Sequence, residues 1–295
     1  MKVRVSSVMA SVLALSFLVD NAHAGAITLG TASAFGVLGD AGVTNTGPSL
    51  IDGSVSGSTG TPAVTGFPPG TVVPGTGTLY TTGPGSSTPF TDATIAYDTA
   101  IDQVPTESLA GTNLGGLTLA PGVYSFSSAA QLTGMLSLDA EGSDDASWTF
   151  QIPSSLISAS ASSVEIIDAG SPGAFEGSIT WAIGSSATLG DNTTFLGTII
   201  SQAASTLDTG ATIACGRVIS LGAAVTLDDS VIDAAPEDCA VSGAIVGPPS
   251  SVTPEPRTLE LLLFGLLAMT LPRFRRLRFN PVLYSVTKSL KRGCL

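Results

Sequence analysis

Thr188-Leu-Gly-Asp-Asn-Thr-Thr-Phe-Leu-Gly-Thr-Ile-Ile-Ser201 is echoed by Thr206-Leu-Asp-Thr-Gly-Ala-Thr-Ile-Ala-Cys-Gly-Arg-Val-Ile-Ser220, and Thr226-Leu-Asp-Asp-Ser-Val-Ile232 opens a third copy. The copies start 18 and then 20 residues apart. A period near 20 built from short β-prone runs and turns indicates a solenoid, in which each coil buries its apolar face on the next. In that register Leu189, Leu207 and Leu227 stack inside, as do Phe195 and Ile213. Thr188, Thr206 and Thr226 begin strands and read as structural positions. Gly197 and Gly216 fall one residue out of strict register, as expected if the turns differ in length.

The composition agrees with this reading. Of 295 residues only 12% are charged, about half the share of an average globular chain, and 34 are Gly. Low charge with 43% hydrophobic content argues against disorder. Coils of a solenoid use small residues at tight turns and Val, Ile and Leu in a narrow core. Between Gly25 and Thr253 the only base is Arg217, against twenty Asp and Glu, a formal charge of −19. Such a body does not neutralise a row of phosphates, so nucleic acid is excluded as a partner. The single His, His23, lies in the leader, which excludes Ser-His-Asp and Cys-His catalysis and His-ligated metal from the body.

The two ends read as addresses. Residues 1–24 form a secretory signal: Lys2 and Arg4, a short apolar run from Val8 to Val19, and Ala22-His-Ala24 before the cleavage point. Residues 241–257 are a Pro/Gly/Ser linker. Residues 258–278 combine a short apolar stretch with the cluster Arg273-Phe-Arg-Arg-Leu-Arg278, and 279–295 are a tail of unassigned role. Pro254-Glu255-Pro256, the apolar stretch and the Arg cluster together resemble the PEP-CTERM sorting signal of Gram-negative bacteria. The resemblance implies recognition and cleavage by an exosortase during export, with transient membrane contact through the C-terminal helix. These features place the body outside the cytoplasm, secreted through the Sec route or held at the cell surface. In that compartment Cys215 and Cys239 either pair as a disulfide or remain two thiols.

One segment of the body departs from β patterning. In Thr91–Val104 the apolar residues Ala93, Ala96, Tyr97, Ala100, Ile101 and Val104 recur at three and four, the spacing of one helical face. Thr91 is the expected N-cap and Pro105 ends the run. The Pro-rich stretch upstream, 61–89, suits irregular surface coil.

Leu114-Gly-Gly-Leu-Thr-Leu-Ala-Pro-Gly-Val-Tyr124, Ala146-Ser-Trp-Thr-Phe-Gln-Ile152, Thr180-Trp-Ala-Ile183, the opening Ile27–Leu38 and the repeats above resemble the ice-binding-like family of secreted β-solenoids. The resemblance covers about residues 26–233. It implies an all-β fold over 25–240: a right-handed parallel β-helix of irregular coils, with one long α-helix packed alongside and an N-terminal cap region. It implies a non-enzymatic protein, without cofactor or metal, that adsorbs to ice through a Thr/Ser-rich face. The alternative is a cell-surface or matrix structural protein, such as an adhesin, whose partner is extracellular polysaccharide.

The family's ice-face signature is Thr, then Ala or Gly, any residue, then Thr or Asn. Thr209-Gly210-Ala211-Thr212 matches it. Asp191-Asn192-Thr193-Thr194 matches at its last position, and Ser160-Ala161-Ser162-Ser163 keeps the spacing with Ser. The expected contacts are therefore Thr209, Thr212, Thr194, Thr193, Ser160 and Ser163. The acidic run Asp139, Glu141, Asp144 and Asp145 lacks a calcium-loop spacing and reads as a solvated loop. Asp228-Asp229, taken as strand neighbours, point to opposite faces, which argues against a catalytic carboxylate pair. Arg217 is expected to pair with a nearby Asp on the surface.

Overall fold

The computed structural model describes residues 24–58, 64–82, 87–170 and 175–234. The leader, Cys239, the 241–257 linker, Pro254-Glu255-Pro256 and the segments 258–278 and 279–295 lie outside the described residues.

Three parallel sheets form the walls of a solenoid. Sheet A runs, in spatial order, through Leu79–Tyr80, Ser54–Gly57, Phe35–Gly39, Val218–Ser220, Thr198–Ser201, Ser178–Ile183, Ser147–Ile152, Gly122–Ser125 and Glu107–Ser108. Sheet B runs through Ala130–Leu132, Leu156–Ser158, Ala187–Leu189, Ser205–Leu207, Val225–Leu227, Val43–Asn45 and Val64–Thr65. Sheet C runs through Thr71–Val72, Leu50–Ile51, Val231–Ile232, Thr212–Ala214, Thr194–Leu196, Ser163–Ile167, Met135–Asp139 and Thr118–Leu119.

The expected interior ladder is present. Leu189, Leu207 and Leu227 are paired in register and buried, and Phe195 pairs with Ile213. The ladder ends on Asn45, whose side-chain amide donates to Gly66 O at 2.9 Å and accepts from Ser49 Oγ at 2.6 Å. One stretch of the core is aromatic. Phe150 and Trp181 stack at 3.8 Å, flanked by Tyr124 at 5.6 Å and Phe195 at 4.8 Å. Both buried indoles donate, Trp148 to Leu119 O and Trp181 to Leu196 O, so neither N–H is left unpaired in the core. Gly216 is required by contact: a Cβ there would lie 2.0 Å from the carbonyl oxygen of Gly197 in the adjacent coil.

The chain does not stack its coils in sequence order. Phe35–Gly39 pairs with Val218–Ser220 on one side and Ser54–Gly57 on the other. The coil at 218–232 is thus an interior rung, and residues 35–80 supply the last rungs of all three sheets at that end. This includes the stretch expected to be irregular coil: Val64–Thr65, Thr71–Val72 and Leu79–Tyr80 each join a sheet. Two-residue strands between prolines carry too little alternation to be read from sequence.

Helix α1 covers Thr88–Ile101 rather than 91–104. It starts a turn earlier because Pro89 fits the first turn, where its missing N–H costs nothing. Thr91 is not the cap; its hydroxyl donates to Ser87 O inside that turn. At the other end Gln151 Nε2 donates to the carbonyls of Ala100, Ile101 and Gln103 at 2.9, 3.3 and 2.8 Å, closing the helix before Pro105. The buried stripe Ala93, Ala96, Tyr97 and Ala100 packs on Leu38, Ala182, Ile200 and Ile219, outward residues of sheet A. Ile101 and Val104, expected on that stripe, are exposed. Sheet A is thereby covered, and among the described residues α1 does not pack on sheets B and C.

Candidate functional site

Each inner strand of sheet B is three residues long, with its ends buried and its centre outward. The centres stack in register: Thr188 on Thr206, Thr206 on Thr226, Thr226 on Thr44, and Thr44 on Thr65. Five threonines therefore form one column, about 19 Å long at the usual strand spacing. The column continues past Thr188 into Ile157 and Gln131. Two residues before the central threonines stand Ser186, Ala204, Ala224 and Gly42; two residues after stand Gly190, Asp208, Asp228 and Thr46. The face is thus narrow, small-residued and without a base. Thr holds its methyl and hydroxyl on a stiff β-branched χ1, so little side-chain order has to be gained when water organises against it.

Thr188, Thr206 and Thr226 are thus outward surface residues as well as strand residues. Thr44 and Thr65 have no counterpart among the expected contacts. The signal for them is the dipeptide Val-Thr, which recurs as Val43-Thr44, Val64-Thr65 and Val225-Thr226. It was hidden because the partners lie about 180 residues apart in the chain.

The signature motif falls on the turn from sheet B to sheet C, and the backbone explains half of it. Its second position is left-handed in Gly210 (φ 74°), Asn192 (φ 54°) and Ala161 (φ 57°). That conformation suits Gly and Asn and strains Ala. Its third position points inward: Ala211, Thr193 and Ser162 are buried. Thr193 is therefore corrected from a surface contact to an interior residue. Its hydroxyl lies 2.9 Å from Ser158 Oγ and donates to Ala159 O. The first position is exposed, in Thr209 and Ser160. The last position opens sheet C, where Ser163, Thr194 and Thr212 align. That column continues into Val231 and Leu50 on one side and Met135 on the other, so it is mixed rather than uniform.

Asp228 and Asp229 sit in a turn, not on a strand, and Asp229 is left-handed (φ 49°). The Asp228 carboxylate accepts from Thr209 Oγ1 at 2.6 Å and from Thr46 Oγ1 at 2.9 Å. These hydrogen bonds hold its pKa below the ordinary carboxylate value. Arg217 is anchored to the backbone rather than to a surface acid: Nε donates to Phe35 O and Nη2 to Ala234 O. Burial lowers its pKa, against the opposing charge of Asp52. Among the described residues, the groove beside it is lined by Ile27, Leu29, Ile179 and Cys215 among others, and by no acid. Cys215 is disulfide-bonded. In the acidic loop Asp139 Oδ1 accepts from the Glu141 N–H, a turn-forming contact. Among the described residues no three His, Cys, Asp or Glu gather as metal ligands.

The family model described as ice-binding-like matches residues 37–233. An ice-binding protein of Nostoc sp. (strain HG1) is 42% identical over 276 residues, covering 92% of this chain and 96% of that protein. One from Colwellia sp is 30% identical, covering 80% and 94%. Among solved structures, the ice-binding protein of the Antarctic ascomycete Antarctomyces psychrotrophicus aligns with a TM-score of 0.63 at 37% identity, over 71% of this chain and 98% of that one. An ice-binding protein from an Antarctic biological consortium aligns with a TM-score of 0.65 at 35% identity, over 72% and 92%.

Proposed function

The chain belongs to the ice-binding-like family, and we propose that it is an exported, non-enzymatic protein that adsorbs to ice through the outer face of sheet B. The observation that carries this reading is the register of Thr188, Thr206, Thr226, Thr44 and Thr65. A repeat of identical, stiff side chains presents water with a periodic row of methyls and hydroxyls. Nothing on the face needs a proton transferred or a charge paired. Thr209 and Ser160 stand at its rim, whereas Ser163, Thr194 and Thr212 lie around the corner on sheet C.

The signal at 1–24 sends the chain out of the cytoplasm, and the 254–278 sorting segment directs it to an exosortase. Cys239 is the partner of Cys215. The coil is right-handed, the hand that parallel strand crossovers take, and the N-terminal rungs cap one end. The test is ice-affinity partitioning of the full chain. It is expected to concentrate in slowly grown ice while an inert acidic protein of equal size stays in the liquid. Equal exclusion of both from the ice would refute the reading.

A further inference from the structure

The turn after Leu227 is one residue shorter than the turns after Leu207 and Leu189: Val231 pairs with Thr212, yet it follows Leu227 by four residues where Thr212 follows Leu207 by five. The coil at 227–231 therefore has one residue, Asp228, where the neighbouring coil has Asp208 and Thr209. The Asp228 carboxylate lies between the rungs on either side, taking the Thr209 hydroxyl on Oδ2 and the Thr46 hydroxyl on Oδ1. We propose that Asp228 is a positioning residue of the ice face: its ionised carboxylate locks Thr46 and Thr209 into single rotamers across three successive coils. This rests on the reading of sheet B given above.

Several observations converge on it. Each hydroxyl donates its proton to the carboxylate, so each Thr oxygen is left with lone pairs rather than a proton to offer. A neutral carboxyl or amide offers one good acceptor where the carboxylate offers two, and the two hydroxyls then compete. Thr46 Oγ1 has a weaker second acceptor, Leu227 O at 3.3 Å, which does not fix it as tightly. The titratable groups on the flanking turns are Asp191, Asp208 and Asp229, all acids, while the facing turn Thr46-Gly-Pro-Ser49 carries none. The two hydroxyl donors keep Asp228 ionised to lower pH than usual. The locking is complete at neutral pH and is lost as pH falls through this depressed pKa.

The experiment compares full-length wild type, Asp228→Asn and, as a control on the exposed side of α1, Asp98→Asn. Two quantities are read: the end-point concentration for ice recrystallisation inhibition, and the χ1 rotamer averaging of Thr46 and Thr209 by NMR couplings. Freeing a Thr among three staggered wells dilutes the competent rotamer about threefold, so freeing two raises the end-point by up to about ninefold. Asp228→Asn is expected to show that rise together with averaged couplings at both Thr, with circular dichroism and melting temperature retained. Asp98→Asn is expected to match wild type. Acidifying wild type below the ordinary carboxylate range should reproduce the Asp228→Asn behaviour while leaving that variant unchanged. An unchanged end-point in Asp228→Asn, or single retained rotamers at both Thr, would overturn the proposal. A wild type that never inhibits recrystallisation overturns the ice reading itself. The couplings then show separately whether Asp228 still orders the two hydroxyls.

Discussion

Leu227→Ala and Thr226→Ala differ by one position on one strand and should differ several-fold in cost. Leu227 is fully buried, between Leu207 on one rung and Asn45 on the other. Its truncation removes three carbons, about 2.4 kcal/mol at the usual value per methylene. The rungs on both sides are pinned by ladder hydrogen bonds, so the void does not collapse and adds about 1 kcal/mol or more. The sum, roughly 3–4 kcal/mol, corresponds to a melting-temperature loss of about 6–16 °C for a domain of this size. Thr226 points outward, and its change to Ala costs no more than about 1 kcal/mol of strand preference. Trp148 and Trp181 are the two tryptophans and both are fully buried, so their red shift in urea reports unfolding directly. A cost for Thr226→Ala equal to that of Leu227→Ala would refute this assignment of inward and outward faces. A slip of one residue would exchange the two faces and put the Thr column inside.

Two further outcomes follow from the covering of sheet A. Gln151→Leu leaves the carbonyls at the end of α1 without their side-chain donor and should lower stability by about 1–3 kcal/mol, read by the same urea titration, with the helical circular-dichroism signal falling first. Asp92 Oδ2 accepts from the Thr31 N–H at 2.7 Å and the Thr31 hydroxyl at 2.6 Å, tying α1 to the N-terminal turn. Its pKa is lowered by those bonds. The stabilisation is therefore present above the unfolded-state value and disappears as pH falls through the folded-state one. Melting temperature should decline on acidification in this window, and Asp92→Asn should flatten that part of the profile; an identical slope in both proteins would contradict the assignment.

Much of the architecture is legible in local pattern. The Leu189, Leu207 and Leu227 ladder follows from a repeat near 20 residues, and the Ala93, Ala96, Tyr97 and Ala100 stripe follows from helical spacing. The interleaving of residues 35–80 with the C-terminal coils is not legible, because it joins strands of two to five residues separated by most of the chain. The outward Thr column of sheet B is not legible for a related reason. A four-residue motif draws attention to a turn, but left-handed backbone dictates its second letter and burial its third. Periodic outward placement, by contrast, is visible only once register is known. Thr44 enters through pairing with Thr226 and Thr65 through pairing with Thr44, and the Val-Thr dipeptide they share is too short to single them out in the sequence alone.

The most direct test places bulk in turn on each of the two sheets that α1 does not cover. Thr206→Tyr/Thr226→Tyr puts two rings in the middle of the sheet B column; Thr194→Tyr/Thr212→Tyr puts two on sheet C. Strand surfaces tolerate Tyr, so both proteins should fold with unchanged circular dichroism. A protruding ring prevents a flat lattice from closing on its neighbours, so the sheet B variant should lose ice recrystallisation inhibition by about tenfold or more. The sheet C variant should stay within about twofold of wild type. Loss confined to the sheet C variant, with the sheet B variant fully active, would contradict the account.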